Sequence, residues 1–501
     1  MSSDRIRALA LSCLLTVGAL VPAAPALADA GQDGNPGASV TDPDMPTLGS
    51  RLDAVRTAKT MNYYPSAAGW TAMWTRFDPI QVDSDLERIA ALGGTTVRLV
   101  VFPKVFGFPQ PDPDYLAELS DIINLAGLHR LTVKLTLFDW WSRYSSVNGS
   151  VTWANAVLAP YVDDPRVIAV EVKNEMSPDD AEAIGWARRV IPAIREFAPS
   201  MPLTVSVDGH AGPSGLARLK DVLGDDMLNY WDFHYYGPSE QALTEIRRAQ
   251  EMVAPDPMVI GETGLSTAGS SQGAQAVYLA RVFRAAAEAG VGSVAPWTLT
   301  DFAPGAIPAG SQVSAQPAQY RFGLFRADGT AKPAAAVVRD AWSGTTPGDD
   351  LLDMSFERDS DDSPWQDNLP GAGVATQTDE TAHDGIYSVR FSGTGRDPRG
   401  LPSLRISPLT PVHGGQTWSA SAWAKGLDLT GTTEIALSWF DAQGRWISQD
   451  RSLRLPPGTT DWTRLSVGAI APPDAAALQL HLKSGDNAGA AWFDDVNLTV
   501  S

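Results

Sequence analysis

The sequence contains one cysteine, Cys13, and six histidines, and its longest apolar run falls short of the roughly 20 residues that cross a bilayer. A single cysteine excludes an intrachain disulfide and a cysteine metal cluster. Neither a His-x-x-x-His pair nor a glycine-rich phosphate loop is present, so zinc hydrolysis and nucleotide chemistry lack their usual ligands. These absences direct attention to carboxylates, amides and aromatic side chains.

The net charge also excludes some classes of binding partner. The formal net charge is −20, and 44% of residues are hydrophobic while 19% are charged. These fractions of hydrophobic and charged residues are typical of a globular protein. A strongly acidic surface repels phosphate backbones and polyanionic glycans, so we expect no nucleic acid and a neutral substrate. The same acidity favours a monomer.

The first residues have the build of a secretory signal. A short charged region, with Arg5 and Arg7, precedes an apolar run that ends near Val21, and Ala26-Leu27-Ala28 follows. We expect a signal peptide over residues 1–28, a secreted protein with no membrane contact after cleavage, and a flexible leader over 29–50. A membrane anchor and a lipid-modified Cys13 are the alternatives. Cleavage would leave no thiol, so stability must come from large buried cores.

Residues 51–343 alternate between short β-branched or aromatic runs and amphipathic stretches. The strand-like runs begin at a mean spacing of about 33 residues, the length of one strand-loop-helix unit. They begin near Met61, Thr96, Leu131, Val167, Leu203, Tyr230, Met258 and Gly292. Helical patterns occupy 85–92, 115–128, 181–197, 240–253, 272–289 and 333–342. Eight such repeats predict an α/β fold, a (β/α)8 TIM barrel. An open doubly wound sheet is the alternative, but no glycine-rich loop follows the first strand.

The pattern of apolar and polar residues changes after a glycine- and proline-containing linker at 344–350. Residues 351–501 consist of short alternating runs separated by turn residues, which predicts an all-β sandwich. Seven of the 16 tryptophans lie here: Trp365, Trp418, Trp423, Trp439, Trp446, Trp462 and Trp492. We expect most to pack in the core or at an edge, and one or two to be exposed platforms for sugar rings.

In a barrel of this kind, catalytic residues lie where strands end, at the carboxyl-terminal rim. Reading each predicted strand to its end yields Arg98, Asp139, Asn174, Glu175, Asp208, His210, His234, Tyr236, Glu262 and Trp297. Glu175 and Glu262 each follow an apolar run. Two carboxyl groups about 5–5.5 Å apart can cleave a glycosidic bond with retention, one as acid and the other as nucleophile. A lone strand-end glutamate is more often a capping or surface residue, and the pair is what favours catalysis.

The neighbouring residues suit supporting roles. Asn174 can donate to a sugar 2-hydroxyl, Arg98 and Tyr236 can hold Glu262 ionised, and Trp297 can form the floor of a sugar subsite. His234 can tune the network or bind a hydroxyl. Each has a structural alternative: an ion pair for Arg98, a core histidine for His234 and simple packing for Trp297.

Four segments, together with Arg98, resemble the clan of retaining (β/α)8 glycoside hydrolases, and most closely its family five of cellulases and mannanases. They are Val172-Lys-Asn-Glu175, His234-Tyr-Tyr236, Ile260-Gly-Glu-Thr-Gly264 and Ala295-Pro-Trp297. The resemblance implies Glu175 as acid/base and Glu262 as nucleophile, with Asn174, Arg98, His234, Tyr236 and Trp297 in support and no cofactor for catalysis.

The third strand departs from that family. Many cellulase-like members carry a histidine motif there, whereas this chain has Phe138-Asp-Trp-Trp141, which leaves the substrate open. We expect Asp139, Trp140 and His210 to bind substrate. Trp70, Trp74, Trp140, Trp141 and Tyr144 are the expected aromatic lining of a glycan cleft.

The C-terminal segment resembles the jelly-roll carbohydrate-binding modules of secreted polysaccharidases. The resemblance rests on Ser355-Phe-Glu357, His383-Asp-Gly-Ile-Tyr-Ser388 and Ala491-Trp-Phe-Asp-Asp-Val496. It implies a structural calcium with Glu357 and Asp494 as ligands. Surface carboxylates without metal, and a purely structural or protein-binding sandwich, are the alternatives.

These features together predict a secreted retaining β-glycosidase. Its expected substrate is a neutral polysaccharide or oligosaccharide, with β-1,4-mannan or β-1,4-glucan first. The competing hypothesis is a secreted glycan-binding protein whose glycosidase-like barrel does not catalyse.

Overall fold

The computed structural model describes residues 45–345, 349–369, 375–392 and 401–501. The predicted signal peptide, the leader up to residue 44 and residues 346–348 of the predicted linker lie outside these ranges. Residues Met45–Ser501 form one compact unit, which contains a barrel followed by a β-sandwich.

The barrel is built from parallel strands. They are β1 Thr60–Asn62, β2 Thr96–Val100, β3 Thr132–Thr136, β4 Val167–Glu171, β5 Leu203–Thr204, β6 Ser206–Val207, β7 Trp231–Tyr235, β8 Met258–Thr263 and β9 Val294–Pro296. Strands β5 and β6 are two halves of the fifth barrel strand, interrupted at Val205. Every pair is parallel, in the orders β1 to β5 and β6 to β9. The predicted (β/α)8 fold is confirmed.

Asn62 closes the barrel between its first and last strands. Its Nδ2 donates to the Gly261 carbonyl at 2.9 Å and to the Pro296 carbonyl at 3.1 Å. The Thr298 hydroxyl in turn donates to the Asn62 carbonyl at 2.7 Å. Strands β2 and β4 are buried along their whole length, as expected for a sheet that is covered on both faces.

Helices surround the barrel. They are α1 Leu48–Thr57, α2 Ala72–Thr75, α3 Pro79–Ala91, α4 Pro103–Phe106, α5 Pro113–Leu128, α6 Val147–Leu158, α7 Ala181–Phe197, α8 Gly212–Leu223, α9 Ala242–Val253, α10 Gln272–Ala289 and α11 Pro333–Ser343. The sequence patterns missed α6 and α8, which are rich in Val, Asn, Gly, Pro and Ser, residues with low helix propensity. Tertiary packing of their apolar faces overrides that preference. None of the described helices has the length and hydropathy that a bilayer crossing requires.

The C-terminal part consists of two antiparallel sheets. Its strands are β10 Trp365–Asp367, β11 Ala375–Thr378, β12 Ser388–Phe391, β13 Ser403–Ile406, β14 Thr410–Pro411, β15 Thr417–Leu429, β16 Thr432–Phe440, β17 Trp446–Arg451, β18 Gly458–Ile470, β19 Ala477–Gly485 and β20 Ala490–Val500. One sheet has the order β10-β13-β19-β16-β17, with β14 beside β19, and the other has the order β11-β12-β20-β15-β18. Both contribute to one buried core, so the predicted all-β sandwich is confirmed.

The tryptophans of the sandwich follow the expected division. Trp365, Trp418, Trp439 and Trp492 are buried. Trp446 is 62% exposed, on an edge strand. Most of these side chains therefore pack inside the module, and one is available to a ligand.

The sandwich docks against helix α10 of the barrel. The backbone N–H of Gln272 donates to the Asp361 carbonyl at 2.8 Å, and the Arg281 guanidinium donates to the carbonyls of Pro408 and Leu409. Gly273 lies at the point of closest approach, where an added Cβ would be only 2.3 Å from the Asp362 carbonyl oxygen. Only glycine allows this backbone-to-backbone contact.

We predict that Gly273→Ala destabilises the protein by about 1–3 kcal/mol, because the new methyl group must displace backbone rather than a flexible side chain. Thermal unfolding would measure the loss. Gly185→Ala is the matched control: this glycine lies in helix α7, and its added Cβ meets nothing within 4 Å. Alanine there should be neutral or stabilising. Equal unfolding temperatures for the two variants would contradict the assigned role of Gly273.

Candidate active site

A cleft opens at the carboxyl-terminal rim of the barrel and encloses about 790 Å³. Most of the strand-end residues predicted from the sequence line it. The lining includes Trp70, Asp139, Trp140, Lys173, Asn174, Glu175, Asp208, His210, Tyr236, Glu262 and Trp297. Its opposite wall comes from the long connection after β9, through Gln312, Val313, Gln316, Ala318, Gln319 and Phe322.

Glu175 and Glu262 face each other in this cleft. A carboxylate oxygen of each and a ring nitrogen of His234 all lie within 4.8 Å of one another. The two glutamates differ in solvent access, since the side chain of Glu175 is 37% exposed and that of Glu262 is 8% exposed. Glu175 has a φ of 45°, a strained conformation for a non-glycine residue, and the Ser206 hydroxyl accepts its backbone N–H at 2.8 Å.

Arg98, on β2, connects the polar side chains beneath the cleft. Its Nη1 donates to Glu262 Oε1 at 2.6 Å and to Asn62 Oδ1 at 2.8 Å. Its Nη2 donates to Asn174 Oδ1 at 2.7 Å, and its Nε donates to Glu171 Oε2 at 2.8 Å. The side chain is 1% exposed. One buried guanidinium therefore orients groups from three other barrel strands, β1, β4 and β8.

His234 lies between the two glutamates and a deeper carboxylate. Its Nδ1 is 3.2 Å from Glu175 Oε1 and 3.5 Å from Glu262 Oε2, while its Nε2 is 3.7 Å from Asp232 Oδ1. Asp232 is fully buried and accepts a hydrogen bond from the Lys134 ammonium. The histidine thus links the cleft to an ion pair inside the barrel.

Comparison with known families assigns the barrel. Residues 58–302 match the family described as cellulase, glycosyl hydrolase family 5.

The barrel is a glycosyl hydrolase family 5 domain. The chain therefore contains the domain of a glycoside hydrolase family. Comparison with curated proteins returned no match.

Several solved structures are similar to this chain. An exo-beta-1,4-mannosidase from Opitutaceae bacterium strain TAV5 is 19% identical, with a TM-score of 0.48, over 57% of this chain and 59% of that one. A family 5 subfamily 18 protein from Streptomyces cattleya, in complex with Manβ1-4GlcNAc, is 20% identical, with a TM-score of 0.48, over 57% of this chain and 80% of that one. A subfamily 18 protein from Bifidobacterium longum subsp. infantis is 13% identical, with a TM-score of 0.48, over 58% of this chain and 80% of that one.

Burial and charge together set the protonation of the site. Burial raises the pKa of Glu262, although the charges of His234 and Arg98 oppose the shift. Burial alone would lower the pKa of His234, but the charge of Glu262 and the hydrogen bond to Glu175 raise it to about 9. Burial favours the neutral form of Glu171 as well, yet Arg98 and Lys134 outweigh it and lower that pKa. His234 is therefore a cation at neutral pH, placed among carboxylates.

Asn174 and Asp139 form the polar part of the cleft wall next to Glu175. Because the Asn174 amide oxygen accepts from Arg98, its Nδ2 is directed toward Asp139, at 3.4 Å from Oδ1. Burial raises the pKa of Asp139 to about 6, against the charge of Lys173, which lowers it. A sugar hydroxyl in the cleft would thus meet an oriented amide N–H and a buried carboxyl group.

Stacked aromatic rings form another part of the cleft lining. Trp70 stacks on Trp140 with 6.3 Å between centroids and an interplanar angle of 9°, and Trp297 lies 5.8 Å from Trp70. Trp70 and Trp140 both have positive φ, so two strained backbone positions present the indoles. Such flat apolar surfaces suit the C–H faces of sugar rings.

Three of the predicted aromatic residues do not line the cleft, and for them the prediction was wrong. Trp74 is buried and donates its indole N–H to the Val100 carbonyl. Trp141 packs between Phe108 and Phe138, and Tyr144 packs on Trp186. These side chains stabilise the loops behind the cleft rather than bind ligand.

The other predicted residues are more peripheral. The His210 side chain is 93% exposed at the cleft rim, where Nδ1 is 3.0 Å from Asp208 Oδ1. In the sandwich, Glu357 Oε1 accepts the backbone N–H groups of Ile386 and Tyr387, and Asp494 Oδ2 accepts that of His383. Calcium binding by these two carboxylates stays a prediction.

The sequence reasoning missed the charges under the cleft. Lys134 and Asp232 lie inside strands, Glu171 is the last residue of β4, and Asn62 ends the first strand. A signal was present, because a charged residue within an otherwise apolar strand needs a buried partner. The wall formed by residues 312–322 carried no such signal, since the connection after β9 is long and has little regular structure.

We predict that Tyr236→Phe moves the acidic limb of the pH–rate profile upward by about one pH unit. The phenol donates to Glu262 Oε2 at 2.9 Å and so stabilises the ionised carboxylate. A hydrogen bond to a charged group contributes about 1.5–3 kcal/mol, and 1.36 kcal/mol corresponds to one pKa unit. Loss of the bond raises the pKa of Glu262, so activity that needs its ionised form is lost at a higher pH.

Hydrolysis of a chromogenic aryl β-glycoside across the acidic range would measure this shift. Tyr144→Phe, which changes a tyrosine packed behind the cleft, should leave the limb in place. An unmoved limb in Tyr236→Phe would show that the phenol does not control Glu262.

Proposed function

We propose that this family 5 glycoside hydrolase cleaves β-linked neutral polysaccharides or oligosaccharides with retention of configuration, by a two-glutamate double displacement. The observation that carries the proposal is the approach of the Glu175 and Glu262 carboxylates to within 4.8 Å. Retaining enzymes hold the two carboxyl groups about 5–5.5 Å apart, whereas inverting enzymes need about 6.5–9.5 Å to admit a water molecule.

In the first step, the Glu262 carboxylate attacks the anomeric carbon while Glu175 transfers its proton to the departing glycosidic oxygen. A glycosyl ester on Glu262 and a free sugar hydroxyl result. In the second step, Glu175, now a carboxylate, takes a proton from water, and the oxygen of that water displaces Glu262 from the anomeric carbon. No cofactor takes part in either step.

The surroundings of each glutamate fit these roles. Glu262 is held by Arg98 at 2.6 Å and by the Tyr236 phenol at 2.9 Å, so its attacking oxygen is oriented and its ionised form is stabilised. Glu175 is the more exposed of the two, as a residue that exchanges protons with water must be. The His234 cation lies near both and offsets the charge that develops when Glu175 loses its proton.

The character of the cleft favours a neutral glycan. Stacked indoles and an amide fit sugar C–H faces and hydroxyls, and a protein of net charge −20 would repel an anionic polymer. We propose β-1,4-glucan and β-1,4-mannan as the first substrates to test, the former being the class that the cellulase description names.

We further propose a secreted monomer. Secretion is supported by the charged, apolar and small-residue succession over residues 1–28, and the monomeric state by the acidic surface.

We predict that Glu175→Gln and Glu262→Gln each lower turnover by roughly 10²–10⁴-fold or more, because an amide can neither donate the proton nor attack. Glu288→Gln, on the exposed face of α10, should leave turnover unchanged. Reducing-end release from soluble mannan and glucan would measure activity, with circular dichroism as the check on folding.

The stereochemistry offers an independent test. Proton NMR of the first product should show the β anomer before mutarotation. An inverted product would contradict the double displacement. Binding of glycan without any hydrolysis would support the non-catalytic alternative instead.

A further inference from the structure

A second groove, of about 520 Å³, lies between the barrel and the sandwich. On the barrel side it is lined by the segments that follow β7 and β8, and on the other side by strands β13, β16 and β19 and the turn after β13. Three residues, Tyr236, Gly264 and Leu265, line both this groove and the catalytic cleft. The two spaces are therefore adjacent, and they meet at Tyr236, the residue that holds Glu262.

Two side chains in the walls of the groove carry a buried polar atom that has no hydrogen-bond partner in the described part of the chain. Ser239 is 5% exposed, and its hydroxyl has no hydrogen-bond partner among the described residues. The buried Nε of Arg405, opposite on β13, likewise has none within those residues. Buried polar groups without a partner cost free energy and in native proteins usually have a ligand or water. Sugar hydroxyls can accept hydrogen bonds from the guanidinium of Arg405, a partly exposed side chain that lines the groove.

An aromatic surface extends the groove outward along the sandwich. Phe440 lines the groove at the end of β16, and its partner in the β16–β17 register is Trp446. Trp439, the preceding residue, is fully buried, whereas Phe440 is only partly buried. Directly paired residues share a face, which places the 62% exposed Trp446 indole beside Phe440. The catalytic cleft, the polar groove and the exposed indole thus follow one another along the surface, as the binding sites for a polymer would.

The walls of the groove are held together. The Gln241 side chain donates to the Ala442 carbonyl at 2.6 Å, across the two parts of the protein. Below it, the Arg281 guanidinium donates to carbonyls of the segment that follows β13. A site built from two domains keeps its geometry only if such bonds fix their docking, and here they flank the groove.

We propose that this groove is an extension of the substrate site, so that the C-terminal sandwich binds the same glycan chain that the barrel cleaves. The proposal rests on the proposed hydrolysis of a neutral β-glycan. A chain whose scissile bond lies between Glu175 and Glu262 continues past Tyr236 into the groove, where Arg405 binds its hydroxyls and Trp446 stacks on a more distant ring. The sandwich then contributes to catalytic efficiency on polymers rather than serving only as a separate anchor.

The test compares a polymer with a short substrate. We expect Arg405→Ala and Trp446→Ala each to lower the ratio of kcat/KM on soluble β-1,4-mannan or hydroxyethyl cellulose to kcat/KM on an aryl β-glycoside by about five- to tenfold, since each removes contacts that only the polymer reaches. Arg454→Ala is the control, an exposed arginine of the same module outside the groove. It should leave both values unchanged. Wild-type ratios in both groove variants would overturn the proposal.

A binding measurement separates this proposal from the proposed function. In the Glu262→Gln background, affinity electrophoresis in gels containing the same polymers should show weaker retardation for the Arg405→Ala and Trp446→Ala forms. If the wild-type protein hydrolyses none of the substrates, the proposed function fails, and the binding result still decides the groove. Retardation that neither substitution changes would overturn the proposed role of the groove. Unchanged thermal unfolding of Trp446→Ala would exclude a folding defect as the cause of weaker retardation.

Discussion

The guanidinium of Arg98 is the interaction on which the site depends. It is almost wholly inaccessible, and it bonds simultaneously to Glu262, Glu171, Asn174 and Asn62, which lie on or just after three other strands of the barrel. A buried cation is tolerated only when it is paired and its donors are satisfied. The rigid, multi-donor shape of arginine makes that possible here, and lysine could not reproduce it.

Around Arg98 the barrel interior balances its own charge. Arg98, Lys134 and His234 face Glu171, Asp232 and Glu262, three cations against three carboxylates. The balance explains how so polar a core is stable and why His234, although buried, has a raised pKa. Glu175 contacts this network through His234 and lies at its solvent-facing end.

The proposed catalytic groups and the proposed substrate surface arise from different parts of the fold. The glutamates and their partners lie on rigid strand ends, while the aromatic and amide walls lie on loops, among them the long connection after β9. The docked sandwich adds Arg405, Phe440 and Trp446 beside this surface. Chemistry is thereby separated from substrate selection, because loop and module residues can vary without disturbing the buried charges.

Much of this organisation could be predicted from the amino-acid sequence. The spacing of apolar runs predicted the barrel and the sandwich, and the position of Glu175 and Glu262 at strand ends predicted that they would meet, since parallel strands end at one rim. The direction of side chains in loops could not be predicted in the same way. Trp70 and Trp140 face the cleft while Trp74 and Trp141 pack behind it, and no periodicity distinguishes them, because loops lack the regular repeat that assigns a residue to a face.

The sequence by itself determined the two domains, the strand-end carboxylates and the acidic surface, all of which follow from local patterns of hydrophobicity and charge. Only the tertiary structure decided which buried charges pair, which aromatic residues meet a ligand, and that Gly273 lets the sandwich dock beside the cleft. Those features depend on contacts between residues far apart in the chain. Their energy comes from burial and close approach, which exist only once the chain has folded.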